Sequence, residues 1–254
     1  MQSLPIITPD WPVPSHVKAL TTTVSGGVSG GDYAGLNLGG HVGDDVACVR
    51  ENRRRLQAYV GKDVRLCWLK QTHSDIIVDL ARYHGVVEGD AAVTNKQNTA
   101  CLVMTADCLP VLLCNQNGTK VAALHCGWKG LYQHLINKVL HRYFADDVVT
   151  AWLGPSIGQA SYEVDEALYR RFIKRNPAYR SAFMANRAGH YLFALTVIAR
   201  QQLQDNGVMR EKIFGGDFDT LTDLRCYSYR RHPQTGRMAT LIYLTPLYQS
   251  GNAR

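Results

Sequence analysis

From Val64 onward the chain is cut into short apolar runs bounded by turn residues: VRLCWL, SDIIVDL, ACLVMTA, LPVLLCN, KVAALHC and VVTAWLG. Runs this short and this rich in β-branched residues are strands rather than helices. Helical spacing is confined to Asp45 to Tyr59, Gly130 to Phe144, Asp165 to Lys174 and Phe193 to Asn206, the last closed by Gly207 as a C-cap. Late strands at CYSYR and ATLIYL break the strict alternation of a doubly wound sheet. The expected fold is an α/β (α+β) sandwich with mixed, largely antiparallel sheets flanked by helices. No linker, repeat or low-complexity segment divides the chain. Residues 1–254 are therefore expected to form one domain, with 1–20 as an N-terminal lead-in.

Two of these runs flank Asn117-Gly118, a strong hairpin signal. A four-residue loop, Asn115 to Gly118, pairs Cys114 with Thr119 and sets Cys108 opposite His125, with Cβ atoms roughly 4.5–5.5 Å apart. A two-residue loop shifts the register and leaves the pair diagonal, about 7–8 Å apart. In either register a thiol and an imidazole converge at one end of the hairpin, beside Asp107 and the turn Gly127-Trp128-Lys129-Gly130. A cysteine and a histidine in contact support a thiolate–imidazolium nucleophile or the ligation of zinc or copper.

His73, in WLKQTHSD, follows a strand among polar residues and is the best third ligand. Two histidines and one cysteine with an open fourth position make a catalytic zinc arrangement. The other cysteines form no CxxC pair and read as reduced thiols that pack like small apolar residues. Multicopper clusters are built from His-x-His segments, and the nine scattered histidines provide none.

The segment SGGVSGGDYAGLNLGGHVGDD needs its glycines for backbone conformation and close approach, and it reads as an ordered, functional loop. The formal charge of +7 suits phosphate-bearing small molecules or a solvated basic surface. The basic runs Arg53-Arg54-Arg55 and Arg230-Arg231 are short and not interleaved with aromatics, so nucleic acid is not an expected partner. Without a signal-peptide pattern or an apolar run long enough to span a bilayer, the chain is expected in the cytoplasm and off the membrane. Its oligomeric state is left open.

QTHSD, GDAAVTN, TADCLPVLL, HCGWKG, GPSIGQASYEV and SYRRHPQTGRMATLIYL, with SGGVSGGDYAGLNLGGHVGDDVACVRENRRRL, together resemble the YfiH family from about Thr21 to Leu244. This bacterial group was once labelled polyphenol oxidase or laccase domain and later described as purine nucleoside enzymes. The resemblance implies a zinc site made of His73, Cys108 and His125, with Cu2+ as the lesser alternative. It also implies phosphorolysis of adenosine, inosine and 5'-methylthioadenosine, and deamination of adenosine. Other members are linked to polyphenol oxidation or to editing of peptidoglycan precursors. The family's usual His-Ala-Gly-Trp-Arg-Gly appears here as HCGWKG, so Lys129 keeps a charge but loses the planar fork of arginine.

On this reading nucleoside and phosphate are the partners, and catalysis falls to Cys108, His125, His73 and Asp107. In deamination, water activated at the metal attacks the purine carbon bearing the amine, while Asp107, or less readily Glu163, shuttles the proton. Phosphorolysis needs a cradle for phosphate and for a cation-like sugar. Arg53, Lys129, Arg230 and Arg231 are the cationic candidates, with Asn37 and His41 as polar contacts and Trp128 and Tyr162 as stacking surfaces. The alternatives are a metal-free cysteine hydrolase or amidase, with Cys108 as nucleophile and His125 as base, and a non-enzymatic scaffold.

Overall fold

The computed structural model describes residues 4–83 and 85–246; residues 1–3 of the expected lead-in and 247–254 of the expected domain lie outside the described residues. Two sheets carry the fold. The five-stranded sheet runs Ile6–Ile7, Val17–Thr22, Met238–Leu244, Thr99–Thr105, Arg65–Cys67, and the six-stranded sheet runs Ile213–Gly215, Val149–Leu153, Leu109–Asn115, Val121–Cys126, Ala91–Thr94, Ile77–Asp79. Within both, pairing is antiparallel except at the edges, where Arg65–Cys67, Ile77–Asp79 and Ile213–Gly215 join in parallel.

Side-chain alternation along the strands sorts the core into layers. In Thr99–Thr105, Cys101 and Val103 face the six-stranded sheet, where they meet Leu112, Cys114, Ala123 and Trp152. Ala100, Leu102 and Met104 of the same strand point the other way. Both faces are covered, so the run is apolar throughout instead of alternating with polar residues.

The helices are α1 (Val46–Val60), α2 (Trp128–Tyr132), α3 (Leu135–Tyr143), α4 (Glu166–Arg175) and α5 (Leu195–Asp205). Leu56 of α1 covers the outer face of the five-stranded sheet. Ile136 and Val139 of α3, with Ile198 and Ala199 of α5, cover the outer face of the other sheet at Val111, Leu113, Ala122 and Leu124. The result is a helix–sheet–sheet–helix sandwich, as expected. Glu163–Asp165, His190–Phe193 and Phe183–Ala185 form a small third sheet that the sequence reading missed. Among the described residues, no helix is long and apolar enough to cross a membrane.

Several expected boundaries shift for identifiable reasons. Asp45 and Asp165 are N-caps, accepting from Ala47 N and Leu168 N, rather than first helical residues. The helix expected over Gly130 to Phe144 is two helices, because His134 takes a left-handed conformation between α2 and α3 (φ 60). CYSYR is not a strand: Arg230 N donates to Asp107 Oδ2, and the Arg231 guanidinium donates to Thr220, Leu221 and Cys226 carbonyls.

The hairpin register also differs from the first expectation. Cys114 pairs with Val121 and Pro110 with His125. Asn115 stays in the ladder through its N–H on Lys120 O, while its Oδ1 accepts from Thr119 N and Lys120 N. The loop therefore begins one residue later than Asn115, and the diagonal register holds. Continuing it puts Cys108 opposite Gly127, where a Cβ would come within 2.6 Å of Cys108 Sγ.

Candidate functional site

His125 sits near the end of Val121–Cys126 and is 5% exposed. Its Nδ1–H donates to Asp90 Oδ1 at 2.8 Å, which leaves Nε2 as the nitrogen free to bind. The fully buried Asp90 precedes the strand Ala91–Thr94 and also accepts from the N–H groups of Thr72, His73 and Ser74 and from the Ser74 hydroxyl. One carboxylate thus orients the ring of His125 and anchors the backbone that carries His73. These bonds outweigh burial and hold the Asp90 carboxyl down at about 2.

Cys108 follows Asp107, whose φ of 92 is left-handed, and His73 is likewise left-handed at φ 58. Non-glycine residues in this region cost of order 1 kcal/mol or more and persist where their surroundings over-determine them. Here Thr220 Oγ1 and Arg230 N, which bind the Asp107 carboxylate, hold Asp107, and the Asp90 bonds hold His73.

Cys108 Sγ lies 3.9 Å from His73 Nε2, the two imidazole centroids are 4.8 Å apart, and the three ligand atoms all fall within 4.8 Å of one another. Burial alone would push the Cys108 thiol up; the charge of His125 and hydrogen bonds from both histidines bring it down to about 6. Burial would likewise lower His125, but Cys108 and Asp90 raise it. Without metal, the pair is a thiolate beside an imidazolium. Two imidazole nitrogens and one thiolate, with a carboxylate behind one imidazole, form a donor set that can hold a metal ion. The spread is somewhat wider than the roughly 3.5 Å between the ligands of a tetrahedral metal site.

A cavity of about 510 Å³ opens onto this trio. Trp128, Ile157, Tyr162, Leu195 and Tyr229 give it an apolar and aromatic wall, and Lys129, Arg230 and Arg237 give it a cationic one. Asp107 and His41 also line it, and burial followed by the charges of Arg237 and Arg53 holds His41 below its ordinary range. Both Asp107 oxygens are occupied, Oδ1 by Thr220 Oγ1 at 2.6 Å and Oδ2 by Arg230 N at 2.7 Å. Arg230 Nη1 donates to Glu163 O, and its guanidinium lies 5.0 Å over the Tyr162 ring.

Three expected contacts are not part of the cavity wall. Arg53 spends Nε and Nη2 on Leu38 O and stacks on Trp68 at 3.9 Å. Arg231 is consumed by backbone carbonyls, and Asn37 is fully buried. Glu163 is paired with Arg187 at 2.7 Å, away from the cavity lining. Two functional residues escaped the sequence reading. Asp90 left one signal, a lone acid at the head of the apolar run in GDAAVTN; Arg237 left only its place just before the last strand.

The family described as multi-copper polyphenol oxidoreductase laccase matches residues 18–245. The chain is 41% identical over 241 residues to a Pseudomonas aeruginosa protein named purine nucleoside phosphorylase PA4543, covering 94% of this chain and 98% of that one. It is 42% identical over 243 residues to the Escherichia coli (strain K12) protein named purine nucleoside phosphorylase YfiH, with the same 94% and 98% coverage. Among solved structures, Neisseria meningitidis protein NMB0706 superposes with a TM-score of 0.90 at 40% identity, covering 95% of this chain and 99% of that one. The Bacillus licheniformis hypothetical protein YfiH gives 0.82 at 28% identity over 90% and 93%.

Proposed function

The chain belongs to the YfiH family, described as multi-copper polyphenol oxidoreductase laccase, and from that membership we propose that it is a purine nucleoside phosphorylase. Its proposed substrates are adenosine, inosine and 5'-methylthioadenosine, with adenosine deamination as a second activity of the same cavity. The observation that carries this reading is one cavity joining His73, Cys108 and His125 to an aromatic wall and a cationic wall. Relatives named purine nucleoside phosphorylase support it. The free cysteines suit a reducing cytoplasm.

In phosphorolysis an oxygen of hydrogen phosphate bonds to C1' of the sugar as the bond from C1' to the purine breaks. The electron pair leaves with the base, and the proton of the phosphate ends on a purine nitrogen. Positive charge builds on the sugar, and the Asp107 carboxylate, already fixed by Thr220 and Arg230, opposes it with no reorganisation. Trp128 and Tyr162 offer ring faces to the base. For deamination Asp107 is the proton carrier, passing a proton from the attacking water to the departing ammonia.

We assign the metal as zinc, held by His73, Cys108 and His125; when bound it supplies a Lewis acid at the cavity floor. The family description names copper, but the chain has no His-x-His pair for a multicopper cluster. The test is metal analysis together with chromatography of adenosine incubated with and without phosphate. Adenine appearing only with phosphate, inosine appearing without it, and loss of both with the metal in His73→Ala are expected. Neither product from metal-loaded protein would overturn the reading.

The thiol–imidazole–carboxylate line of Cys108, His125 and Asp90 favours a second reading, a metal-free hydrolase or amidase acting on precursors such as those of peptidoglycan. Metal-free protein that keeps its activity and loses it to iodoacetamide would select this alternative.

A further inference from the structure

The cationic groups of the cavity differ in what they have left to offer. Arg53 lies outside the cavity lining with Nε and Nη2 on Leu38 O, Arg231 is taken up by backbone carbonyls, and Lys129 and Arg230 lie on the exposed side, over Trp128 and Tyr162. Arg237 is half-buried, and its side chain's only hydrogen bonds run from Nη1 to the carbonyls of Thr235 and Gly236, at 2.9 and 3.0 Å. Nε and Nη2 have no acceptor among the described residues, and no carboxylate there is ion-paired with this guanidinium. The Asp107 and Cys108 charges act on it without hydrogen-bonding it, so its two open donor positions are left for an oxygen acceptor.

The surroundings hold Arg237 in place. Its backbone N–H donates to Asn37 Oδ1 at 2.9 Å, and its carbonyl accepts from Leu38 N at 3.2 Å. Asn37 is held in turn by Asp44 and Asn52. At Gly39 a Cβ would come within 2.7 Å of Arg237 Cγ, so the glycine-rich loop can close on this side chain only with glycine there. The arrangement fixes the fork of one arginine at the cavity wall.

A second orphan group lines the same cavity. Thr105 pairs with Met238, the residue after Arg237. It is 1% exposed, and its hydroxyl has no hydrogen-bond partner. Buried hydroxyls are almost always satisfied, so an unsatisfied one at a cavity wall points to a ligand.

We propose that Arg237 and Thr105 form the oxyanion subsite of the cavity and take inorganic phosphate as the co-substrate, a role that rests on the phosphorylase reading and deepens it. A planar guanidinium with two free donor positions matches two phosphate oxygens bidentately, and the threonine hydroxyl supplies a third bond.

Initial rates of base release from inosine, with phosphate and inosine varied in turn, test this in the metal-loaded protein. Arg237→Gln is expected to raise KM for phosphate about 10- to 100-fold, the loss typical of hydrogen bonds to charged groups, with KM for inosine within about threefold. Arg237→Lys, which keeps charge without the fork, falls between. Thr105→Val gives a shift of a few-fold, and Gly39→Ala moves the phosphate KM in the same direction by displacing Arg237.

Calorimetric titration of inorganic phosphate into the same proteins judges the subsite without turnover. If the unmodified protein releases no base, the phosphorylase reading fails, yet the subsite stands when phosphate binds and Arg237→Gln weakens it. Failure of the unmodified protein to bind phosphate overturns the subsite. So does unchanged phosphate affinity in folded Arg237→Gln. Should Arg237→Gln not fold, unchanged phosphate affinity in both Arg237→Lys and Gly39→Ala overturns it equally.

Discussion

The hairpin of Leu109–Asn115 and Val121–Cys126 carries a polar cluster at each end, and the two ends spend their polar atoms differently. At the turn, Asn115 Nδ2 donates to Thr119 Oγ1 and Asp147 Oδ1 while Oδ1 accepts from Thr119 N and Lys120 N. Lys120 Nζ completes the cluster on Asp147 Oδ2 and Tyr143 O. Nearly every donor meets an acceptor of the same chain. At the open end the ligand atoms of His73, Cys108 and His125 converge on one another, while Asp90 satisfies only the groups behind them. A closed set of bonds is structure; convergent ligand atoms beside a cavity are a site.

Breaking the open end should cost the most activity. Cys108→Ala and His125→Ala should each bring metal content and phosphorolysis to background with the melting transition retained, read by elemental analysis and initial rates. Asp90→Asn leaves all three ligands in place but loosens two of them, so metal affinity should fall about 10- to 100-fold, measured by competition with a chelator.

Alkylation sharpens the contrast. In metal-free protein the Cys108 thiol, at about 6, is ionised at pH 7, whereas an ordinary thiol is not. A thiolate of lower pKa is also a poorer nucleophile, so the advantage over an ordinary exposed cysteine shrinks to about fourfold at pH 7. The rate should level off above pH of about 6, and metal should suppress it. The turn end should show no effect on activity. Asn115→Ala leaves its partners on Thr119, Lys120 and Asp147 without their bonds and should lower stability by about 2 kcal/mol, seen as a melting temperature about 4–8 °C lower with kcat unchanged.

The same contrast explains what could be read from the residues. The hairpin, its Asn-Gly turn and the meeting of Cys108 with His125 follow from apolar runs and turn chemistry, which are local. Of the two registers left open, the diagonal one holds because the Asn115 side chain, not only its backbone, closes the loop. CYSYR alternates like a strand, but its backbone is claimed by Asp107, more than a hundred residues earlier in the chain. Asp90 and Arg237 were hard to read for a related reason: charge says nothing about which acid the fold will bury behind a histidine or which arginine it will leave with open donors. Arg53 and Arg231 looked equally suitable and are consumed by carbonyls.

The left-handed backbone at His73 and Asp107 sets durability against chemistry. Glycine at either position would relieve a local cost of about 1 kcal/mol and remove a ligand or a carboxylate in the same step. A lineage that no longer needed the reaction would therefore be expected to keep its sandwich and lose these two side chains first. Glycine or asparagine at positions 73 and 107, above an unaltered core, would mark a descendant whose fold has outlived its catalysis.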